Sequence, residues 1–187
     1  MSGNIAVIYC GCGDLVAVAE AFADQAAEIA SDVRRLQLPS GESVPPESAH
    51  PHPQLRDLEW ADGIGFGTPT DDGEPAPELM RFIESTQSLW SSGALSDKAT
   101  TVFTDEPERM APESLLHPIY DTLYKWGAMI VGPREFEFEF EPEARPDVPS
   151  DNPSPLSAAR VSAARYRAFR LARVAEDLAD DHDRRSR

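Results

Sequence analysis

Ile5-Ala6-Val7-Ile8-Tyr9 is an apolar run without a polar interruption, followed by glycines at 11 and 13 and an alanine-rich stretch of helical period. A strand with one face in water alternates apolar and polar residues. A continuous run belongs to a strand covered on both faces. Asp14 opens the helical stretch, which runs to about Ile29 with Leu15, Val18, Phe22, Ala26 and Ile29 on one side. The same grammar repeats along the chain. Residues 33–38, 64–68, 100–104 and 128–131 read as further strands. Helices are expected from Pro77 to Gln87, from about Pro112 to Trp126, and last in the chain to about Leu178. Residues 39–53 hold five prolines and read as a loop.

Strands alternating with helices imply a parallel sheet with helices on both faces. Such sheets bind ligands beyond the carboxyl ends of their strands, where the strand order reverses. The loops of interest are therefore Cys-Gly-Cys-Gly-Asp at 10–14, Pro-Thr-Asp-Asp-Gly-Glu-Pro at 69–75, and the segment from Thr104 to Pro112. Glu135 to Glu141, written EFEFEFE, alternates with period two and reads as an edge strand or an extended arm. Phe136, Phe138 and Phe140 would pack on one side of it.

Charge excludes several functions. Against 33 acidic residues stand 17 basic ones, of which only Lys98 and Lys125 are lysines, and the formal charge is −16. Such a field disfavours nucleic acid or an anionic membrane as a partner. No run approaches the length of a membrane span, and residues 4–10 are too short for a signal peptide, so a cytoplasmic protein without membrane insertion is expected. Cys10 and Cys12 stand too close for an unstrained disulfide and read as free thiols. No Walker A sequence occurs. Gly11-Cys12-Gly13 begins a dinucleotide fingerprint that Val16 breaks at its third glycine. His50 and His52 sit in a proline-rich loop without a ligand cluster, and no metal site is expected. The last helix carries Arg160, Arg165, Arg167, Arg170 and Arg173, expected as a solvated face or intersubunit ion pairs.

Residues 67–103, GTPTDDGEPAPELMRFIESTQSLWSSGALSDKATTVF, resemble the WrbA family of NAD(P)H:quinone oxidoreductases. Members of that family write GTPTRFG, then LW-x-SGAL, then K-x-x-x-VF. Gly127 to Val131 and Ala164-Arg165-Tyr166 continue the match, so the resemblance spans most of the chain. It implies one flavodoxin-like domain over residues 1–187, with residues 1–3 and about 180–187 as disordered tails. The fold would be a three-layer sandwich whose five-stranded parallel sheet has the order 2-1-3-4-5. It also implies FMN across the three loops, NAD(P)H as electron donor, a quinone as substrate, and a homodimer or homotetramer.

By that resemblance the FMN positions fall on Cys10, Gly11, Cys12 and Gly13 in the first loop and on Thr68, Pro69, Thr70 and Gly73 in the second. Thr104 opens the third, Trp126 takes the place of a histidine over the ring, and Trp90 matches the substrate-side tryptophan. No protein group is demanded as acid or base. All three loops depart from the family. Cys10 and Ala17 replace hydroxyl donors to the phosphate, and Asp14 is expected to cap the first helix through the amides of Val16 or Ala17. Asp71 and Asp72 replace an arginine and an aromatic residue. Pro107 and Arg109 stand in a segment that is glycine-rich in the family. Asp14, Asp71, Asp72, Glu74, Asp105, Glu106 and Glu108 would form a carboxylate rim. Two readings stay open: a quinone reductase with a weakened FMN site, or a scaffold that has lost FMN and serves as a binding or assembly protein with an acidic cleft.

Overall fold

The computed structural model describes residues 3–11, 14–39, 50–69, 74–105, 116–132 and 155–185. Among them the strands are β1 (Asn4–Cys10), β2 (Asp32–Leu38), β3 (Gly63–Thr68), β4 (Ala99–Thr104) and β5 (Met129–Ile130). They form one parallel sheet, as the alternating pattern implies, in the order β2-β1-β3-β4-β5 that the family resemblance implies. The helices are α1 (Leu15–Ala26), α2 (Leu55–Trp60), α3 (Pro77–Glu84), α4 (Gln87–Ser91), α5 (His117–Lys125) and α6 (Pro155–Arg185).

Right-handed crossovers put α1 on one face and the helices leading from β2 towards β5 on the other, and α6 returns to pack along α1. Strand β3 shows why the two faces differ. Its sequence Gly63-Ile64-Gly65-Phe66-Gly67 places every side chain on the α5 side, where Phe66 meets the Trp126 ring edge-on at 6.1 Å. The other face is bare glycine. A Cβ on Gly63 would lie 2.6 Å from Ile5 and 3.0 Å from Ala175 of α6, and one on Gly65 would lie 2.9 Å from Phe22 of α1. Phe22 and Phe103 stack over this floor with centroids 4.6 Å apart, both buried.

Several expectations shift. The helix expected over Pro77–Gln87 ends at Glu84, and α4 follows a turn in which the buried Thr86 hydroxyl donates to the Ile83 carbonyl at 2.7 Å. Helix α2 was not anticipated. Six residues are too few for a helical period to register, and its start is set by Gln54 and Asp57, which bond reciprocally in a capping box. Helix α6 continues to Arg185, past the expected end near Leu178. Its arginines are not a plain solvated face. Arg167 is 6% exposed, Arg170 donates to the Gly132 carbonyl, and Arg160 reaches Asp14. The EFEFEFE stretch lies outside the described residues.

The glycine floor yields a test. Gly67→Ala would place a methyl 2.6–2.8 Å from Phe103 and from the Cβ of Tyr9. Overpacking of this kind costs about 1–3 kcal/mol, readable as a lower midpoint in urea unfolding. Gly132→Ala, whose new methyl meets nothing within 4 Å, should stay within about 0.5 kcal/mol of the parent.

Candidate functional site

The parallel register aligns the carboxyl ends of three strands. Tyr9 pairs with Gly67 and Thr68 with Thr104, so Cys10, Thr68 and Thr104 lie side by side at one edge of the sheet. Gly11 and the start of α1 follow the first, Pro69 the second and Asp105 the third. The structure thus brings together the described parts of all three anticipated loops. Cys12, Gly13, Thr70, Asp71, Asp72, Gly73, Glu106, Pro107, Glu108 and Arg109 lie outside the described residues.

Each of these residues has a local reason for its place. Thr68 is fully buried. Its hydroxyl accepts from the Ala76 amide at 2.8 Å and sits 3.3 Å from the Pro69 carbonyl, so it pins the returning end of the second loop rather than projecting outward. Gly11 is required by its neighbour: a Cβ there would overlap Nε2 of Gln37 at 1.7 Å. Cys10 is buried at 3% exposure.

Asp14 overturns one expectation. It occupies the N-cap position of α1 without capping it; its backbone is already helical, at φ −68° and ψ −20°, and the side chain makes no cap hydrogen bond. A cap needs extended backbone to turn its oxygen back onto the helix. Asp14 Oδ2 instead accepts from Arg160 Nη1 of α6 at 2.6 Å. Two consequences follow. The carboxylate is neutralised by a neighbour 146 residues away, and the first amides of α1 have no side-chain acceptor among the described residues. A helix start with free amides and its dipole's positive end is chemically suited to an anion.

Trp126 is placed elsewhere. It closes α5 just before β5, where its carbonyl faces the Ser96 hydroxyl and Gly127 accepts from the Asp97 amide. That is the amino-terminal edge of the sheet, the end opposite the three loops. The indole folds inward, 2% exposed, and its buried Nε1 has no hydrogen-bond partner among the described residues. Trp90 lies on α4, which descends from the loop edge towards the start of β4, and is 42% exposed.

Sequence reasoning missed a polar network beside the first loop. Gln37, 2% exposed, receives the His50 amide on Oε1 at 3.4 Å. The Tyr9 hydroxyl lies 2.6 Å from His50 Nδ1, and His50 Nε2 lies 3.4 Å from Glu20, which also holds Arg35 at 3.1 Å. Tyr9 therefore donates to Nδ1 and His50 donates from Nε2 to Glu20, one consistent tautomer. His52 Nδ1 donates to the Gln37 carbonyl at 2.9 Å. The signal was faint: a tyrosine ending an apolar run and a glutamine within an edge strand, both of which only the fold aligns with the His50 segment.

Comparison with known proteins places this geometry in context. No family model matches the chain. The NAD(P)H dehydrogenase (quinone) of Syntrophus aciditrophicus is 31% identical over 156 residues, covering 75% of this chain and 75% of that protein. The NAD(P)H dehydrogenase (quinone) of Deinococcus radiodurans is 36% identical over 78 residues, and that match spans only 39% of the Deinococcus protein. Among solved structures, the flavodoxin, WrbA-like protein from Agrobacterium tumefaciens superposes with a TM-score of 0.67 at 23% identity, over 95% of this chain and 99% of that one. A flavodoxin from the domain Archaea follows at 0.55 and 15% identity, over 94% and 99%. These likenesses establish the fold.

The Tyr9 network predicts an alkaline weakness. Burial first, and then Glu20, push the Tyr9 phenol up to about 12, with Arg35 pulling the other way. A group whose folded pKa exceeds its unfolded value of about 10 stabilises the fold fully below pH 10 and loses that contribution as pH rises towards 12. The full shift would equal roughly 3 kcal/mol; water on the partly open His50 side reduces this to about 1–2 kcal/mol. Urea midpoints should fall by that amount between pH 9 and about pH 12. Tyr9→Phe should begin about 1 kcal/mol lower from the lost hydrogen bond and show a correspondingly smaller alkaline drop.

Proposed function

The chain belongs to the WrbA-like, flavodoxin-fold family of NAD(P)H dehydrogenases (quinone), and from that premise we propose that it reduces a quinone with electrons from NAD(P)H through FMN held at the carboxyl edge of the sheet. The observation that carries this reading is the uncapped start of α1. Among the described residues its first amides have no side-chain acceptor, and the Arg160 guanidinium is bound to Asp14 at the helix start. Those amides with Arg160 would hold the phosphate. Beside this loop Gly11 leaves room for the Gln37 side chain, whose Nε2 fills the space a Cβ would take. Pro69 and the loop pinned by Thr68 and Ala76 would border the ring. When bound, FMN would supply hydride acceptance and two-electron delivery. The protein's part is position, exclusion of water and electrostatics, and no side chain is required as an acid or base. Trp126 supports the shape of the core beneath Phe66 in this reading, and the role of a ring-stacking partner is not assigned to it.

FMN affinity should be lower than for a site with its full hydroxyl set, since Cys10 and Ala17 supply none. Each hydrogen bond lost to a charged group costs about 1.5–3 kcal/mol. Such a loss favours the alternative of a scaffold without FMN if titration finds none bound. Of the acids expected on the rim, Glu74 is exposed and Asp105 half-buried. We further infer a homodimer or homotetramer acting in the cytoplasm on a small quinone.

Titration of FMN by flavin fluorescence quenching is the test. Arg160→Ala should weaken binding about tenfold or more by removing a charge-assisted donor and leaving Asp14 unneutralised. Asp14→Asn should tighten it. If the acids crowd the ligand, wild-type affinity should rise as salt goes from about 0.1 M to 1 M, because the Debye length falls from about 10 Å to 3 Å. Tight binding unaffected by either substitution would remove α1 and Arg160 from the site. FMN-loaded protein that fails to oxidise NADH or NADPH with benzoquinone would leave only the scaffold reading.

A further inference from the structure

A second cleft lies away from the three loops, along the outer edge of β2. It measures about 990 Å³ and is lined by residues 34–36, 50–52, 54, 56, 57 and 60, within the size range of small-molecule sites. Its lining is rich in basic groups for this protein. In a chain of net charge −16, the cleft gathers Arg34, Arg35 and Arg56 with His50 and His52; Asp57 meets Arg34, and Glu20 and Asp24 hold Arg35 from α1.

We propose that this cleft binds a small phosphate-bearing anion. Arg34 is the organised element. Its Nη1 donates to Asp57 Oδ1 at 2.8 Å, while its guanidinium lies 3.8 Å from the centroid of the Trp60 ring. Asp57 is itself fixed, 6% exposed, with its other oxygen accepting from the Gln54 amide at 2.8 Å. The guanidinium is thus held flat, with one donor of five committed to Asp57 and others at the cleft surface. This arrangement suits planar, multi-donor recognition of phosphate.

Two further donors face the same space, the Arg56 guanidinium and the Arg35 main-chain amide, and His52 Nε2 lines it as an acceptor. Arg56 lines the cleft, exposed, and has no ion-pair partner among the described residues. With about two acids for every base in the sequence, an arginine with no carboxylate in ion-pair range among the described residues leaves its guanidinium open to an external anion. His52 gives its Nδ1 proton to Gln37, leaving Nε2 for a second partner. Gln37 turns its own amide and carbonyl away from β1, to Pro51 and His52. By the two-residue period of a strand, the Arg35 main-chain amide also points out of the sheet edge. Arg35's side chain serves α1 instead, held by Glu20 and Asp24.

The ligand is small. A charge of −16 repels a nucleic acid or an anionic membrane at long range, whereas contacts within the cleft act inside the screening length of about 8 Å at physiological salt. The phosphate could belong to a free inorganic ion or to an organic ester. The Arg34–Trp60 stack would add an aromatic platform for the latter.

Calorimetric titration of the full-length chain with sodium pyrophosphate and, separately, ADP at matched ionic strength tests the proposal, with amide and Trp60 indole shifts read in parallel. Dissociation constants at or below about 1 mM are expected, with shifts at Arg56 and Trp60. Tighter binding of ADP by about fivefold or more would identify an organic ester that uses the stack, and equal binding would identify the phosphate alone as the recognised group. Arg56→Ala should weaken either probe about fivefold or more, Arg56→Glu should abolish binding, and Arg56→Lys should retain most of it, each with an unchanged circular dichroism spectrum. FMN titration should be unaffected by all three. Absence of heat with both probes at about 10 mM, binding indifferent to Arg56→Glu, or shifts confined to the start of α1 would overturn it.

Discussion

The sheet's glycine-bare face is the constraint on which the rest depends. Because Gly63, Gly65 and Gly67 offer no side chains towards α1 and α6, Ile5, Phe22, Phe103 and the side chains of Leu171 and Ala175 on α6 approach β3 directly. That close approach draws α6 down against α1. It also carries the amino-terminal part of α6 to the loop edge of the sheet, where Arg160 can meet Asp14. Packing density is the reason the arrangement is unique: a methyl in this layer has no free volume to enter.

Electrostatics then act within that frame. A chain with 33 acids and 17 bases must place its few cations where they count. Lys98 illustrates the economy. Burial lowers its pKa, yet its ammonium caps the end of α2 by donating to the carbonyls of Glu59 and Ala61. Arg34 is stacked on Trp60, Arg35 is bound by Glu20 and Asp24, and Arg160 is spent on Asp14. The two candidate sites differ in kind. At the carboxyl edge the anion would meet helix amides and one arginine; at the β2 edge it would meet side-chain cations on a fixed aromatic base.

Much of the fold was legible. Strand positions follow from apolar runs separated by helical periods, since burial on both faces leaves no other pattern for β1, β3 and β4, and the strand order came from the family resemblance. The loop edge was legible for the same reason. The missing pieces share a cause. Helix α2 is too short to show a period, and the break between α3 and α4 depends on a buried threonine bonding backwards. The side chain of Asp14 was misread because capping is a local inference, and the actual partner lies 146 residues away. Trp126 was expected over the ring from the resemblance; the structure shows its backbone closing α5 and its indole packed inward on Phe66.

The sequence by itself determined the layer architecture, the direction of every strand and the three loops that converge at the carboxyl edge, because hydrophobic periodicity and glycine placement act on near neighbours. Only the tertiary structure decided which charges meet. The pairing of Asp14 with Arg160, of Tyr9 with His50, and of Arg34 with Asp57 and Trp60 joins residues that no local rule connects. Coulomb and hydrogen-bond energies depend on distance in space, and chain separation does not encode that distance until the sheet and its helices have packed.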